Sequence, residues 1–114
     1  MLAAERLIEI EMLCTGKVQR IELLELDGEL IKVILYFKDG TNLRVTELWN
    51  DNLLVKYSYY WLTPKNEIKA GWDNAPHHQH VKTFPHHKHI QYQKDIKPSK
   101  QHSLEDVIAF IFGI

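Results

Sequence analysis

Two Asp-Gly pairs, Asp27-Gly28 and Asp39-Gly40, constrain the fold of this 114-residue chain more than any other feature. Each pair stands between two runs that are rich in Val, Ile, Leu and aromatic residues. An Asp-Gly pair in this setting predicts a tight β-hairpin, because the favoured hairpin turns need positive φ. Turn residues follow again at 50–52 and 64–66, so we expect a meander of about five antiparallel strands. The predicted strands cover residues 17–26, 30–38, 41–49, 53–62 and 67–73.

Helical periodicity occurs at both ends of the chain. Apolar residues at helical spacing predict a helix over residues 3–14, and Gly16 is suited to end it. Ser103 is placed to cap a second helix over 104–112, whose first turn carries two acids. The sequence therefore predicts an α+β fold, with one antiparallel sheet and an N-terminal and a C-terminal helix packed on it. The length is typical of a single domain, here residues 1–114.

Residues 74–102 form a segment with no sustained hydrophobic period, and they predict a long ordered loop with one short strand near 89–93. A loop of this length is usually functional or disordered. Six histidines lie between positions 77 and 89, and residues 77–102 hold five lysines against one aspartate, a local charge of +4 without the histidines. Such a patch favours an anionic partner such as RNA, although a solvated loop would have the same composition.

Histidine is the side chain that both accepts and donates protons near neutral pH. Two imidazoles beside lysines and an aspartate are the minimal equipment for cleaving RNA without a cofactor: one takes the 2′-hydroxyl proton, the other protonates the leaving oxygen, and a cation stabilises the phosphorane. The candidate catalytic residues are Asp73, His77, His78, His86, His87 and His89. The candidate RNA contacts are Asn74, Lys82, Lys88 and Tyr60, the last as a stacking platform.

A metal site is the alternative interpretation of the same segment. Imidazoles suit zinc or another divalent transition metal, and the candidate ligands are His77, His86, His87 and His89. No cysteine assists them, and their spacing matches no established zinc motif. Under this interpretation the protein is a histidine-rich metal-binding or regulatory interaction module without enzymatic activity.

The cysteine content, the longest apolar run and the edge of the predicted sheet indicate where the protein is found and how it assembles. A single cysteine, Cys14, excludes an internal disulfide and fits a reducing compartment, where we expect it to be a buried, unreactive thiol. The longest apolar run, 107–112, is too short to span a bilayer, so we expect a cytoplasmic protein without membrane contact. The edge of a meander is able to pair across a twofold axis, which makes a homodimer possible.

Four blocks follow one another along the chain: YFKDGTNLRVTEL, KYSYYW, WDNAPHHQHVKTFPHHKH and SLEDVIAFI. In this order they resemble the blocks of the TumE family of prokaryotic toxin–antitoxin proteins, and the resemblance runs from about residue 5 to residue 112. The positions that match the long third block are Asp73, Asn74, His77, His78, Phe84, Pro85, His86, His87, Lys88 and His89.

The sequence departs from the family pattern at three places, which involve four residues. Trp72 stands in place of a tyrosine, Tyr60 stands where a histidine is common, and Gln79-His80 replaces Pro-Glu or a similar pair. The resemblance implies the toxin of a type II system, neutralised by a cognate antitoxin protein. It implies no mechanism, so the expectation that the toxin acts on RNA depends on the residue chemistry.

Overall fold

The computed structural model describes residues 1–76, 83–91 and 96–114. Two helices and seven strands occur in these ranges. In chain order they are α1 (Ala3–Leu13), β1 (Val18–Asp27), β2 (Leu30–Phe37), β3 (Asn42–Asn50), β4 (Leu53–Leu62), β5 (Ile68–Asp73), β6 (His87–Ile90), β7 (Ile96–Pro98) and α2 (Leu104–Phe112).

The strands form one antiparallel sheet in the order β1-β2-β3-β4-β5-β6-β7. The predicted α+β fold is confirmed, but the predicted count of about five strands is wrong. Strands β6 and β7 lie inside the segment 74–102, which we expected to be mainly a loop. At four and three residues they are too short to show alternation in a histidine- and lysine-rich sequence, and they are held by pairing with the neighbouring strand. Assignment of the whole chain to one domain stays a prediction.

Both helices contribute to a core on one side of the sheet, here called the helix side; the other is the open side. On strands β2 to β5 alternate residues point to the helix side, as the period of two requires. Trp72 on β5 is fully buried there, donates a hydrogen bond from Nε1 to Gln101 Oε1 (3.1 Å) and meets Phe110 of α2 edge-on. Other buried members of this core are Ala3, Ile10, Cys14, Val33, Leu35, Leu43, Val45, Tyr57, Tyr59, Leu104, Val107 and Ile108.

Local signals fix the turns and helix ends. Both expected hairpins form, but only their glycines have positive φ, 58° at Gly28 and 90° at Gly40. Ser103 caps α2, its Oγ accepting a hydrogen bond from the Asp106 amide (3.1 Å), and Gly113 ends that helix with φ 70°. Neither of the helices in the described ranges has the length and apolar character needed to cross a membrane.

A buried arginine joins the two helices to the sheet. Arg6 of α1 is only 2% exposed, and its guanidinium forms paired contacts with Glu47 of β3 (2.7 and 3.1 Å) and with Glu105 of α2 (2.8 and 2.9 Å). Glu47 also accepts a hydrogen bond from the Tyr59 hydroxyl (2.6 Å). A buried charge is tolerated when it is paired and hydrogen-bonded in this way. The network therefore fixes how α1 and α2 sit on the sheet.

Candidate active site

Two of the predicted histidines, His87 and His89, lie on β6 and face the same side of the sheet. In its pairing with β5, His87 lies opposite Asp73 and His89 lies opposite Gly71. Alternation along a strand places these residues on the open side. Lys88, between the two histidines, lies opposite Trp72 and hence on the helix side.

Four side chains on the open side form a group that we call the carboxylate–histidine cluster: Asp73, His87, His89 and Tyr60. Asp73 is its centre. His87 Nε2 lies 2.8 Å from Asp73 Oδ1, and His89 Nε2 lies 3.4 Å from Oδ2. The Tyr60 hydroxyl donates to the same Oδ2 at 3.3 Å, and its ring stacks beside that of His89. One carboxylate thus orients two imidazoles and a phenol.

The two histidines of the cluster are buried and firmly held. Each is 2% exposed. His87 Nδ1 lies 3.0 Å from the Pro85 carbonyl oxygen, so both ring nitrogens of His87 face oxygen acceptors. Asp73 Oδ1 accepts a further hydrogen bond from the Ala75 amide (2.9 Å). This arrangement fastens β6 to β5 and leaves little access for a substrate.

Glycine at position 71 allows the cluster to form. Tyr60 lies directly opposite Gly71 on the neighbouring strand, and its ring covers that residue. A Cβ atom at position 71 would lie 2.4 Å from Tyr60 Cε1 and 2.5 Å from Cδ1. The absence of a side chain is therefore what brings the Tyr60 hydroxyl to Asp73. We expected Tyr60 to be a stacking platform for RNA; the structure places it in the cluster.

His86 belongs to a second group, the histidine pair, which it forms with His102. The two rings stack with centroids 3.8 Å apart and planes 12° from parallel. His86 Nδ1 is hydrogen-bonded to the Tyr57 hydroxyl (2.8 Å), and His102 Nε2 lies 2.9 Å from the Ser99 carbonyl oxygen. Among the described residues, His86 Nε2 and His102 Nδ1 make no hydrogen bond. Within the described part of the chain, each ring therefore has one anchored nitrogen and one nitrogen without a hydrogen bond.

The histidine pair is more accessible than the cluster, because His86 is half-buried and His102 is exposed. Burial lowers the pKa of His86, and the positive charges that His102 and His87 carry when protonated lower it further. Burial also raises the pKa of Tyr57, with Asp73 and Asp106 adding to the effect, so the phenol keeps its proton. The pair therefore combines an anchored neutral imidazole with an exposed one.

Lysines lie on the same side of the sheet as the histidine pair. Lys88 of β6 is directly opposite Lys97 of β7, both on the helix side, and Lys100 follows two residues before His102. Two like charges facing each other across strands are unfavourable unless an anion offsets them. An acid is also present at the histidine pair, because Asp106 Oδ2 accepts a hydrogen bond from the His102 amide (3.0 Å).

The other predicted residues are placed as follows. The Asn74 side chain is engaged with the backbone of β4: its Oδ1 accepts from the Tyr57 amide (2.9 Å) and its Nδ2 donates to the Val55 carbonyl (3.0 Å). Asn74 therefore positions the chain after β5, and its predicted contact with RNA stays a prediction. Three predicted site residues, His77, His78 and Lys82, lie outside the described residues.

Sequence reasoning missed His102 and Tyr57 as members of a site. His102 stands thirteen residues beyond the histidine-rich stretch and directly before the cap of α2, so its linear spacing gave no signal. Alternation along β4 places Tyr57 on the side opposite Tyr60, and only the structure shows that the Tyr57 hydroxyl reaches an imidazole.

Among the described residues, three side chains have donor atoms close enough to share a metal ion. Asp73, His87 and His89 each offer one ligand atom, and these atoms lie within 4.8 Å of one another. His86, which we predicted as a ligand, belongs to the histidine pair instead. His77 lies outside the described residues.

These features define an α+β protein with a buried carboxylate–histidine cluster and a more exposed histidine pair on opposite sides of one short strand. A family model described as Toxin TumE matches residues 6–113. The chain therefore belongs to the TumE family and is a toxin of a toxin–antitoxin system, which implies an antitoxin as its partner. No curated protein and no solved structure matches the chain.

Proposed function

We propose that this toxin belongs to a type II system and cleaves RNA, and that the histidine pair carries out the proton transfers. The observation that carries the proposal is the stack of His86 on His102 at 3.8 Å, with one nitrogen of each ring anchored and the other available. A general acid or base needs this combination of a fixed orientation and a reactive atom within reach of the substrate.

Accessibility favours the histidine pair over the cluster. A group that exchanges protons with RNA must touch it, and His87 and His89 are each only 2% exposed. His87, in addition, has both nitrogens directed at oxygen acceptors. The role we assign to Asp73, His87 and His89 is to hold β6 in place, so that His86 at its start meets His102.

The reaction needs no external reactant other than RNA. One imidazole of the pair removes the proton from a 2′-hydroxyl, whose oxygen attacks the adjacent phosphorus. The other imidazole, in its protonated form, gives a proton to the 5′-oxygen as the P–O bond breaks. The products are a 2′,3′-cyclic phosphate and a free 5′-hydroxyl. Lys88, Lys97 and Lys100 offset the negative charge that develops on the phosphate oxygens.

The test is cleavage of single-stranded RNA by the purified toxin and by His86→Gln and His102→Gln variants. Each variant should lose activity by about 10²–10⁴-fold, the usual contribution of a general acid or base. The double variant should lose little more, because the two groups act as a unit. Thermal unfolding of each variant checks that the fold is retained.

Two further measurements make the test specific. RNA with a 2′-deoxy nucleotide at the cleavage site should stay intact, and the products from normal RNA should carry a cyclic phosphate. Lys97→Ala should weaken RNA binding, whereas Lys65→Ala, in the turn before β5, should not. Products with a 3′-hydroxyl, or toxicity that persists with RNA intact, would show that the proposal is wrong.

A further inference from the structure

We propose that the carboxylate–histidine cluster binds one divalent transition metal ion, of the class of Zn²⁺, through Asp73, His87 and His89. The ion would be a structural one, and the site is independent of the proton transfers assigned to the histidine pair. The cluster holds a set of donors, one carboxylate and two imidazoles, that is common in such sites.

The distances fit a coordination shell. Ligand atoms about 2.0–2.2 Å from a tetrahedral zinc ion lie roughly 3.3 Å from one another. In the cluster, His87 Nε2 and Asp73 Oδ1 are 2.8 Å apart, and His89 Nε2 and Asp73 Oδ2 are 3.4 Å apart. All three donors lie within 4.8 Å, so small side-chain rotations bring them to one point.

The environment of His87 also fits a metal ligand. Its Nδ1 lies 3.0 Å from the Pro85 carbonyl oxygen, which accepts the Nδ1 proton. A ligating histidine typically donates its second N–H to a carbonyl or a carboxylate in this way. In the neutral ring the Nε2 lone pair then faces Asp73 Oδ1 at 2.8 Å, and two acceptors at that distance need a positive charge between them. A metal ion supplies it, and so does a proton.

The burial of the cluster also fits a bound ion. The side chains of Asp73 and His87 lie almost entirely out of water, so a charge on either group carries a desolvation cost that a close partner must offset. A single ion satisfies the carboxylate and both imidazoles at once. Two nitrogen donors and no thiolate favour Zn²⁺, Ni²⁺ or Co²⁺ over Ca²⁺ or Mg²⁺, which prefer oxygen ligands.

The test is titration of the untagged, metal-free toxin with Zn²⁺, followed by isothermal calorimetry and by metal analysis after dialysis. We expect about one ion per chain and a higher melting temperature with Zn²⁺ than without it. Asp73→Asn and His89→Gln should bind at least about 100-fold more weakly, while Tyr60→Phe, which only removes a hydrogen bond to a ligand, should lose about tenfold. His102→Gln is the matched control and should bind as tightly as the unchanged protein.

A further control changes His77, His78 and His80 together to alanine. We expect this triple variant to bind Zn²⁺ as the unchanged protein does. The proposal would be overturned if the triple variant lost Zn²⁺ binding while His89→Gln kept it in full. Absence of binding by the unchanged protein would show that protons alone hold the cluster. If His89→Gln does not fold, Asp73→Asn and Tyr60→Phe still decide the outcome. If folded, metal-free toxin stops cleaving RNA and Zn²⁺ restores cleavage, the proposed metal-independent chemistry fails while the metal site stands.

Discussion

Replacement of Gly71 by alanine tests whether the fit between β4 and β5 sets the geometry of the carboxylate–histidine cluster. The new Cβ would lie 2.4 and 2.5 Å from two carbons of the Tyr60 ring. Carbon atoms prefer separations of about 3.5–4.0 Å, so the ring must retreat by about 1 Å or more. That movement lengthens the contact from the Tyr60 hydroxyl to Asp73, which is already 3.3 Å.

The effect of this substitution should change sign with the residue at position 60. Overpacking of a filled site costs about 1–3 kcal/mol. Without the clash, alanine in a strand is better than glycine by about 0.5–1 kcal/mol, because glycine loses more backbone entropy on folding. Gly71→Ala should therefore destabilise the normal protein by about 1–3 kcal/mol and slightly stabilise a Tyr60→Ala variant. The coupling free energy between the two sites should be about 1.5–4 kcal/mol.

The assay is urea unfolding of the four proteins of this double-mutant cycle, followed by tryptophan fluorescence. The change in midpoint gives the free energy of unfolding where the slope is constant. Tyr60→Phe in place of Tyr60→Ala is the control, since the ring remains and the clash should persist. If Gly71→Ala has the same effect in both backgrounds, the packing of Tyr60 on Gly71 does not control this site.

Three further predictions concern the core. Glu47→Ala should lower the free energy of unfolding by about 3–5 kcal/mol, because it removes a partner of the buried Arg6, whereas Glu9→Ala at the exposed end of the network should cost about 1 kcal/mol or less. Burial raises the pKa of Cys14 to about 11, so iodoacetamide at pH 8 should alkylate it in urea but not in the folded protein. The hydrogen bond from Arg6 lowers the pKa of Glu105 below its usual 4.5. The ionised Glu105 carboxylate therefore contributes its full stabilisation above pH 4.5, and this stabilisation is lost as the pH falls through the lowered pKa of the folded protein. The free energy of unfolding of Glu105→Gln should consequently depend less on pH in this acidic range than that of the unchanged protein.

The long strands could be predicted from the sequence with accurate ends, whereas the short strand expected near 89–93 overlaps β6 only at its last two residues. The first five strands lie within one residue of their expected ends, because alternation of apolar residues and the Asp-Gly turns are local signals. β6 is different: its four residues, HKHI, have no recognisable alternation of polar and apolar character. What makes it a strand is the neighbouring β5, a long-range partner that single-sequence reasoning does not see.

The burial of Arg6 also could not be predicted from the local sequence pattern. Apolar spacing in α1 favours burial of Leu7, which is only half-buried, and gives no reason to bury the position before it. A charged residue faces a core only when partners are present, and these come from positions 41 and 99 residues further along the chain. The sequence contains both glutamates but nothing local that connects them to Arg6.

Alternation from His86 into β6 explains why adjacent histidines have different roles. Residues 87 and 89 point to the open side, where Asp73 holds them in a buried cluster, and residues 86 and 88 belong to the helix side with His102 and the lysines. The cluster therefore fixes the position of the histidine pair through one short strand. It follows that loss of toxicity on changing His87 does not by itself identify a catalytic group. Substitution of a positioning residue such as His87 should lower both the melting temperature and the activity. Substitution of His102, which lies outside the cluster and is exposed, should lower the activity alone.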